Sequence, residues 1–361
     1  MQNKKKILLL SDDMRMSSGV GTMSREFVLG TLEHYQWVQI GGAIKHPDEG
    51  KIVDMNESVR EETGIKDAYL KIYPVSGYGN GDLLKEVLRM ETKDGVGVDA
   101  ILHYTDPRFW GWLYQMEHEI RQNIPIFYYN IWDDLPYPRW NEPFYESCDL
   151  IMNISKQTVN IVDNVCQKRP RTDWDNTYVP HGINEDNFYP VDELNMKEWG
   201  DLLQFKRTVT QGREYDFIVF WNNRNIRRKL PGDVVMSFKQ FCDTLPKEQA
   251  KKCALIMHTQ PRDENGTDLP ALVEELCPDY DVIFSHKKLS DKEMCYMYNL
   301  ADVTMNMASN EGFGLGTCES LMCGTPISVT VTGGLQDQVG FKYKDKFITY
   351  EDYEWIHSLH D

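Results

Sequence analysis

The fold is indicated most clearly by residues 303–331, which read VTMNMASNEGFGLGTCESLMCGTPISVTV. A short apolar run at Val303–Met307 is followed by a glycine-rich turn, a helical pattern at Gly316–Met322 and a second apolar run at Ile327–Val331. Strand, turn, helix and strand in this order form one α/β unit. They predict a parallel sheet that is covered by helices.

The turn of this unit carries two glutamates eight positions apart, Glu311 and Glu319, and Gly312, Gly314 and Gly316 lie between them. Glycine lets a ligand approach backbone N–H groups at the start of a helix, where the helix dipole favours an anion. A carboxylate can bind two hydroxyls of a sugar or a ribose through charge-assisted hydrogen bonds. The turn therefore predicts a ligand site, and a solvated glutamate beside an ordinary turn is the alternative.

Apolar runs alternate with helical stretches through the rest of the chain. The further runs with strand character are Ile7–Ser11, Val38–Ile44, Ala68–Val75, Asp99–His103, Ile124–Tyr129, Leu150–Ile154, Phe217–Trp221, Ala254–His258 and Val282–Phe284. The alternation predicts an α/β protein with two Rossmann-like domains facing across a cleft, at 1–183 and 184–340. Residues 184–215 are polar and predict a linker with an irregular or helical excursion. A tail at 341–361 is expected to cross back, with Tyr350–His360 as its candidate helix.

Composition limits the class of protein. A length of 361 residues suits two domains, and no apolar run approaches the ~20 residues that span a membrane. The net charge of −17 argues against a large nucleic-acid footprint. Eight cysteines without C-x-x-C spacing indicate reduced, packed thiols and a cytoplasmic protein.

Two further loops have the composition of phosphate-binding segments. In the string FWNNRNIRRK at 220–229, Arg224 and Lys229 are five positions apart. A basic surface loop is the alternative to a ligand-binding role for these two cations. Gly19 and Gly21 follow the first predicted strand and precede a helical pattern, where an ordinary strand-to-helix turn is the alternative.

These strings together resemble the E-x7-E signature of glycosyltransferase family 4 and related retaining enzymes with the B-type fold. The similarity covers about residues 124–340 and is weaker before them. Beyond the signature it includes the helix and strand from Ser290 to Val303, the glycine pair Gly333-Gly334, and His181-Gly182-Ile183-Asn184 at the crossing between the domains.

The resemblance implies a role for each candidate residue. Glu319 would hold the ribose hydroxyls of the donor, and Glu311 the sugar hydroxyls. Arg224 and Lys229 would bind the diphosphate and offset the charge that develops on this leaving group. The other donor contacts implied lie in the two glycine loops and at the domain crossing, at Gly312, Phe313, Gly314, Leu315, Gly19, Gly21 and His181.

The donor loop departs from the family pattern at two places. Asn223 stands where the family has glycine, and Leu230-Pro231 stands where glycine follows the lysine. The loop backbone is therefore expected to differ from that of the family, and Arg228 is a candidate to share the role of Arg224.

The histidine that commonly lies beside the reacting sugar in this family is also absent. Trp132 holds its place after the strand at Ile124–Tyr129. Asp133 or Asp134 is the candidate substitute, and His103, one strand earlier, is another. Asp133 and Asp134 follow one predicted strand and His103 ends another, and α/β sheets bind ligands at such strand ends. A structural role for His103 is an equal alternative.

The resemblance implies transfer of a hexosyl or pentosyl group from a nucleoside-diphosphate sugar to an acceptor hydroxyl, with retention of configuration. No His/Cys/Asp cluster has metal-ligand spacing, and neither Asp12-Asp13 nor Asp133-Asp134 matches the D-x-D string typical of metal-dependent A-type enzymes, so we expect neither a metal nor another cofactor. The acceptor stays open among a glycan, a metabolite, a protein, a lipid and a modified DNA base. For DNA, the basic cluster at 168–171 is too small to form a groove. Alternatives are a non-catalytic two-lobed binding protein and another enzyme on this fold, such as an epimerase or a phosphorylase.

Overall fold

The computed structural model describes residues 4–43, 45, 47–93, 97–166, 175–339, 341–343 and 346–348. The chain divides into two compact units, Met1–His181 (unit 1) and Gly182–Asp361 (unit 2). Each unit has its own sheet and its own buried apolar core. The predicted α/β class with two Rossmann-like domains is therefore confirmed. The basic cluster at 168–171 and most of the predicted tail lie outside the described residues.

The strands of unit 1 are β1 (Lys5–Asp12), β2 (Tyr35–Gly42), β3 (Val53–Asp54), β4 (Leu70–Pro74), β5 (Ala100–Tyr104), β6 (Ile126–Asn130), β7 (Leu150–Asn153) and β8 (Asp175–Tyr178). They form one sheet in the order β3-β4-β2-β1-β5-β6-β7-β8. All neighbours pair in parallel except β3 and β4. The carboxyl ends of the parallel strands therefore meet at one edge, where α/β sheets bind ligands.

The helices of unit 1 are α1 (Gly19–Thr31), α2 (Asn56–Thr63), α3 (Gly81–Lys93), α4 (Gly111–Gln115), α5 (Glu117–Ile120), α6 (Glu142–Glu146) and α7 (Lys156–Cys166), with 3₁₀ turns at Pro107–Trp110 and Arg139–Asn141. The three consecutive leucines of β1, Leu8, Leu9 and Leu10, are at most 1% exposed. Alternate residues of a strand point to opposite faces, so burial of all three requires cover on both faces of the sheet.

Unit 2 contains β9 (Phe217–Asn222), β10 (Cys253–His258), β11 (Asp281–Ser285), β12 (Val303–Asn306), β13 (Ile327–Val329), β14 (Phe341–Tyr343) and β15 (Lys346–Ile348). The first five form a parallel sheet in the order β11-β10-β9-β12-β13, and the last two form an antiparallel pair. The helices are α8 (Met196–Val209), α9 (Pro231–Asp243), α10 (Lys247–Ala250), α11 (Leu269–Leu276), α12 (Asp291–Leu300), α13 (Leu315–Met322) and α14 (Leu335–Gln338), with a 3₁₀ turn at Arg227–Lys229.

The segment at 184–215 contains α8, a helix of 14 residues, within the predicted helical excursion. The strand β8 was not predicted, because its sequence, DNTY, is polar. The candidate helix Tyr350–His360 lies outside the described residues. All eight cysteines are free thiols, and seven of them are buried. No helix in the described part of the chain has the length and apolar content needed to cross a membrane.

Candidate functional site

The glycine-rich turn between β12 and α13 is held in place by a second glycine pair, Gly333 and Gly334. A Cβ atom on Gly333 would overlap the carbonyl oxygen of Glu311, and one on Gly334 would lie 2.5 Å from the carbonyl oxygen of Gly312. The Gly334 amide donates to the Glu311 carbonyl at 2.9 Å. Backbone packs directly on backbone here, so a larger residue at either position would displace Glu311.

The same turn is fixed where α13 begins. Gly314 has a φ of +88°, in the left-handed region, and a Cβ atom there would lie 2.5 Å from Leu335 Cδ2. Gln338 Nε2 donates to the carbonyl oxygens of Phe313 at 2.6 Å and Gly314 at 3.0 Å. The first helical residue is Leu315. These contacts position the N-terminus of α13, whose first N–H groups form the positive end of the helix dipole.

Lys229 and Glu311 form an ion pair, and their side chains are only 9% and 12% exposed. Lys229 ends the 3₁₀ turn after β9, and Glu311 follows β12, the neighbouring strand in the sheet. Asn306 Nδ2 also donates to Glu311 Oε2 at 3.4 Å. Because both charges are largely removed from water, the loss of either partner would leave a buried charge uncompensated.

Glu319 lies in α13, the helix after the same turn, and is held by Tyr298 of α12. The fully buried Tyr298 hydroxyl donates to Glu319 Oε2 at 2.6 Å and accepts from Asn222 Nδ2 at 2.8 Å. Burial raises the pKa of the Glu319 carboxyl to about 7, although the bond from Tyr298 acts in the opposite direction. This carboxyl can therefore exist with or without its proton near neutral pH.

Arg224 and Arg228 of the basic loop have other partners. Arg224 is 61% exposed, and its guanidinium binds Asp263 through Nε at 2.8 Å and Nη2 at 3.3 Å. Arg228 Nη1 donates to the carbonyl of Asn310 at 2.8 Å. Of the basic side chains predicted to bind diphosphate, Lys229 is thus the one that contacts Glu311, whereas Arg224 is directed to Asp263.

The first glycine loop, in unit 1, begins α1. Ser18 caps the helix, because its Oγ accepts from the Gly21 amide at 3.1 Å. A Cβ atom on Gly21 would lie 2.6 Å from the Met16 carbonyl oxygen. Gly21 is buried and already bonded, whereas Gly19 is exposed at the start of the helix. Close packing explains Gly21 without a ligand, and the donor contacts predicted for both glycines stay predictions.

His103 lies in the core of unit 1 and is 0% exposed. Its Nδ1 is 2.7 Å from the Tyr114 hydroxyl, and its ring stacks on Tyr128 with centroids 5.0 Å apart. Burial lowers its pKa to about 3, so the ring is neutral at ordinary pH. The surroundings favour the structural alternative for His103, since no surface of the ring is open to a substrate.

His181 and Asp133 lie nearer the carboxyl edge of the unit 1 sheet. His181 Nδ1 is 2.8 Å from the Tyr129 hydroxyl, and burial lowers the pKa of the ring to about 4. Asp133 is partly exposed in the loop after β6. The preceding Trp132 is fixed by a bond from its Nε1 to the Asp134 carbonyl at 2.8 Å. The ligand contacts predicted for His181 and Asp133 stay predictions.

The sequence did not identify four polar residues at these sites: Asp12, Asn222, Asp263 and Tyr298. Asp12 and Asn222 each end a buried strand, at β1 and β9, and their position alone could have marked them. Tyr298 lies within the Ser290–Val303 string of the family resemblance, although no site role was assigned to it, and no local signal distinguishes Asp263 in a polar loop. Among the described residues, no group of three or more His, Cys, Asp and Glu side chains could hold a metal ion.

Sequence comparison relates the chain to curated glycosyltransferases. It is 26% identical over 219 residues to the D-inositol 3-phosphate glycosyltransferase of Stackebrandtia nassauensis, which covers 59% of this chain and 46% of that protein. The enzyme of the same name from Thermobispora bispora is 35% identical over 78 residues, covering 21% and 18%. The chain thus matches less than half the length of these relatives. No family model matches it.

Solved structures share the fold at low sequence identity. The Anabaena protein HepE in complex with UDP and glucose has a TM-score of 0.65 at 12% identity, over 93% of this chain and 83% of that one. Sucrose-phosphate synthase from Thermosynechococcus elongatus has a TM-score of 0.64 at 17% identity, over 93% and 84%. These likenesses confirm the predicted fold of the B-type glycosyltransferases, and together with the curated relatives they confirm the resemblance inferred from the E-x7-E string.

Proposed function

We propose that the chain transfers a sugar from a nucleoside-diphosphate sugar to an acceptor hydroxyl, with retention of configuration. Unit 2 would bind the donor and unit 1 the acceptor. The observation that carries the proposal is the buried Lys229–Glu311 pair beside the glycine-rich turn, with Glu319 on the helix that follows. The loops after the neighbouring strands β9 and β12, together with α13, thus supply a cation, two carboxylates and a helix N-terminus.

This set of groups corresponds to the parts of a nucleotide sugar. Lys229 would bind the diphosphate and Glu311 the hydroxyls of the sugar, so that each exchanges its present partner for a part of the donor. Glu319, held by Tyr298, would bind the ribose diol. The N–H groups at Phe313–Leu315 would add contacts to sugar and phosphate. The curated relatives and the complexes with UDP and glucose among structures of this fold support a donor of this class.

In the proposed reaction the bond between the anomeric carbon and the diphosphate oxygen breaks as the acceptor oxygen bonds to the same carbon. The acceptor proton passes to the departing phosphate, so no side chain need act as a strong base. Lys229 and Arg224 would stabilise the charge that grows on the diphosphate, and fixed cations of this kind act mainly on the transition state. We propose that neither a metal ion nor another cofactor takes part.

A panel of UDP-, GDP- and ADP-sugars tests the proposal. We expect release of nucleoside diphosphate that increases when an acceptor is supplied, that persists in EDTA, and that gives a product with the anomeric configuration of the donor by NMR. Tight binding without release would identify a non-catalytic binding protein. Conversion of the sugar while it stays on the nucleotide would identify an epimerase. Full and reversible loss of turnover in EDTA would overturn the metal-free mechanism.

A further inference from the structure

The carboxyl edge of the unit 1 sheet contains an acidic group that the donor site does not use. Asp12 is the last residue of β1, the fourth of the eight strands. Its Oδ1 atom is buried and has no hydrogen-bond partner in the part of the chain that the structure describes, and burial raises the pKa of the carboxyl to about 6. A buried polar atom left unbonded is unfavourable, so the arrangement favours a ligand that supplies a hydrogen-bond donor.

Large aromatic side chains lie at the same edge. Tyr78 and Phe109 are stacked, with ring centroids 4.7 Å apart and planes 4° apart. Trp132 meets Trp140 edge-on at 6.0 Å, and the Arg108 guanidinium carbon lies 5.3 Å from the centre of the Trp132 ring. Phe109 is 52% exposed and Trp140 57% exposed. Exposed aromatic area of this extent is typical of a binding surface.

The carboxyl and the rings belong to one surface. Burial raises the pKa of Tyr78 to about 12, and the negative charges of Asp12 and Asp106 add to the shift, so both carboxylates lie within electrostatic reach of this hydroxyl. Asp106 in turn accepts from Arg108 Nε through both of its oxygens, at 2.9 and 3.0 Å. The Arg108 guanidinium lies over the Trp132 ring. These interactions thus connect the end of β1 with the loops that follow the parallel strands β4, β5 and β6.

The charge of this edge favours an uncharged ligand. Asp12, Asp106 and the pair Asp133-Asp134 are acidic, and Arg108 is already bound to Asp106. A phosphate-bearing ligand would be repelled by these groups. A sugar suits them, because carboxylates accept short hydrogen bonds from hydroxyls. The apolar C–H face of a sugar ring can also pack on an aromatic ring.

We propose that these residues form an acceptor surface, defined by Asp12, Tyr78, Phe109, Arg108 and Trp132, that binds a neutral sugar as the acceptor. The proposal rests on the proposed function, since the hydroxyl bound here is the one that receives the donor sugar. Asp12 accepts a hydrogen bond from a hydroxyl of the acceptor. Phe109 and Trp132 pack against its ring.

A nucleobase is the competing occupant, because aromatic rings also stack on bases. Nucleic acids bind chiefly through Lys and Arg contacts to phosphate. The acceptor surface offers Arg108, which is paired, and acidic neighbours. The observations therefore favour the neutral sugar, and DNA is an outcome of the test.

The test uses the full chain with the donor that the panel identifies. The probes are methyl glycosides of glucose, galactose and mannose, and a single-stranded oligonucleotide, dT8. Asp12→Asn keeps the size of the side chain, and Phe109→Ala removes a ring that is already half exposed. We expect each to raise the KM for the sugar by about tenfold or more, the factor that ~1.4 kcal/mol represents.

The matched controls make the same types of substitution, Phe→Ala and Asp→Asn, outside the acceptor surface. Phe241→Ala removes a ring that is 37% exposed in unit 2, and Asp67→Asn changes an exposed carboxylate. Neither should alter the KM for the sugar. If Asp12→Asn fails to fold, Phe109→Ala still decides the proposal.

The proposal is overturned if no sugar probe stimulates a chain that hydrolyses its donor, if both acceptor-surface variants keep the wild-type KM, or if dT8 is the substrate that is modified. A chain that neither binds nucleoside diphosphate nor consumes any donor contradicts the proposed function instead. In that event, saturation-transfer NMR with the same glycosides tests the acceptor surface alone. Binding that Phe109→Ala abolishes supports it, and absence of binding overturns it.

Discussion

The candidate donor site of unit 2 and the acceptor surface of unit 1 both lie at strand ends of parallel sheets, but their carboxylates have different partners. In unit 2, Lys229 neutralises Glu311, and Tyr298 donates to Glu319. In unit 1, Oδ1 of Asp12 has no partner among the described residues. A site for a charged diphosphate needs a cation, which an internal carboxylate balances while the site is empty. A site for a neutral sugar needs no such counter-charge.

The largest expected effect is at Lys229, because its substitution removes the Lys229–Glu311 ion pair of unit 2. Lys229→Met should lower the single-turnover rate by on the order of 10²–10³, because a fixed cation beside the diphosphate is lost. It should also lower the free energy of unfolding by ~3–5 kcal/mol, since Glu311 stays buried without its partner. Rapid-quench kinetics and urea denaturation measure the two effects.

The double variant Lys229→Met/Glu311→Gln separates stability from catalysis. Removing both charges should recover much of the free energy of unfolding, whereas turnover should stay low. A near-wild-type rate in Lys229→Met would mean that the diphosphate is bound elsewhere.

The backbone packing under Glu311 gives the next largest effect. Gly333→Ala should lower the free energy of unfolding by ~1–3 kcal/mol or more, because the new Cβ overlaps the Glu311 carbonyl. Gly212→Ala is the matched control, since Gly212 has a φ of +78° but open space around it. Equal destabilisation of the two variants in thermal unfolding would show that only the positive φ matters, and not the contact with the turn.

The Tyr298–Glu319 hydrogen bond of unit 2 can be tested by the pH dependence of stability. Burial raises its pKa from 4.5 to about 7, so the folded chain binds more protons than the unfolded chain within that window. Stability from this group is therefore greatest below pH 4.5 and is lost as the pH rises towards 7. Glu319→Gln cannot ionise. Its free energy of unfolding should rise relative to wild type by on the order of 2 kcal/mol between pH 4.5 and 7.5.

Urea denaturation at each pH measures this difference, and Glu275→Gln, an exposed glutamate of α11, is the control. A difference that does not change with pH would contradict the assignment. In the same preparation, Glu319→Ala should bind nucleoside diphosphate about tenfold more weakly, as expected for the loss of a charge-assisted hydrogen bond.

The smallest effect is expected at Arg224, whose guanidinium already binds Asp263 in an exposed loop. Arg224→Ala should lower turnover by about tenfold, less than Lys229→Met, because an exposed cation is weakened by solvent. Arg262→Ala, which removes the exposed Arg262–Asp268 pair, is the control and should leave turnover unchanged. A loss as large as that of Lys229→Met would indicate that Arg224 leaves Asp263 when the donor binds.

The sequence by itself determined the elements whose signals are local. The run Ile7–Ser11 predicted a first strand, and the structure has β1 there, with Leu8, Leu9 and Leu10 buried. The sequence predicted a helix at Asp291–Leu300, and α12 has these bounds; Ser290 and Glu293 form a capping box that fixes its first residue. The glycines before Glu319 predicted the turn, since few other residues permit such close backbone contacts.

Only the tertiary structure decided which side chains meet. Lys229 and Glu311 are 82 positions apart, Arg224 and Asp263 are 39 apart, and Tyr298 and Glu319 are 21 apart. The polar strand β8 likewise depends on pairing with β7. Periodicity and capping report on neighbours within a few residues, whereas these contacts follow from the order in which strands align in the sheet. The unpartnered oxygen of Asp12 is of the same kind, because it is defined by everything that packs around it.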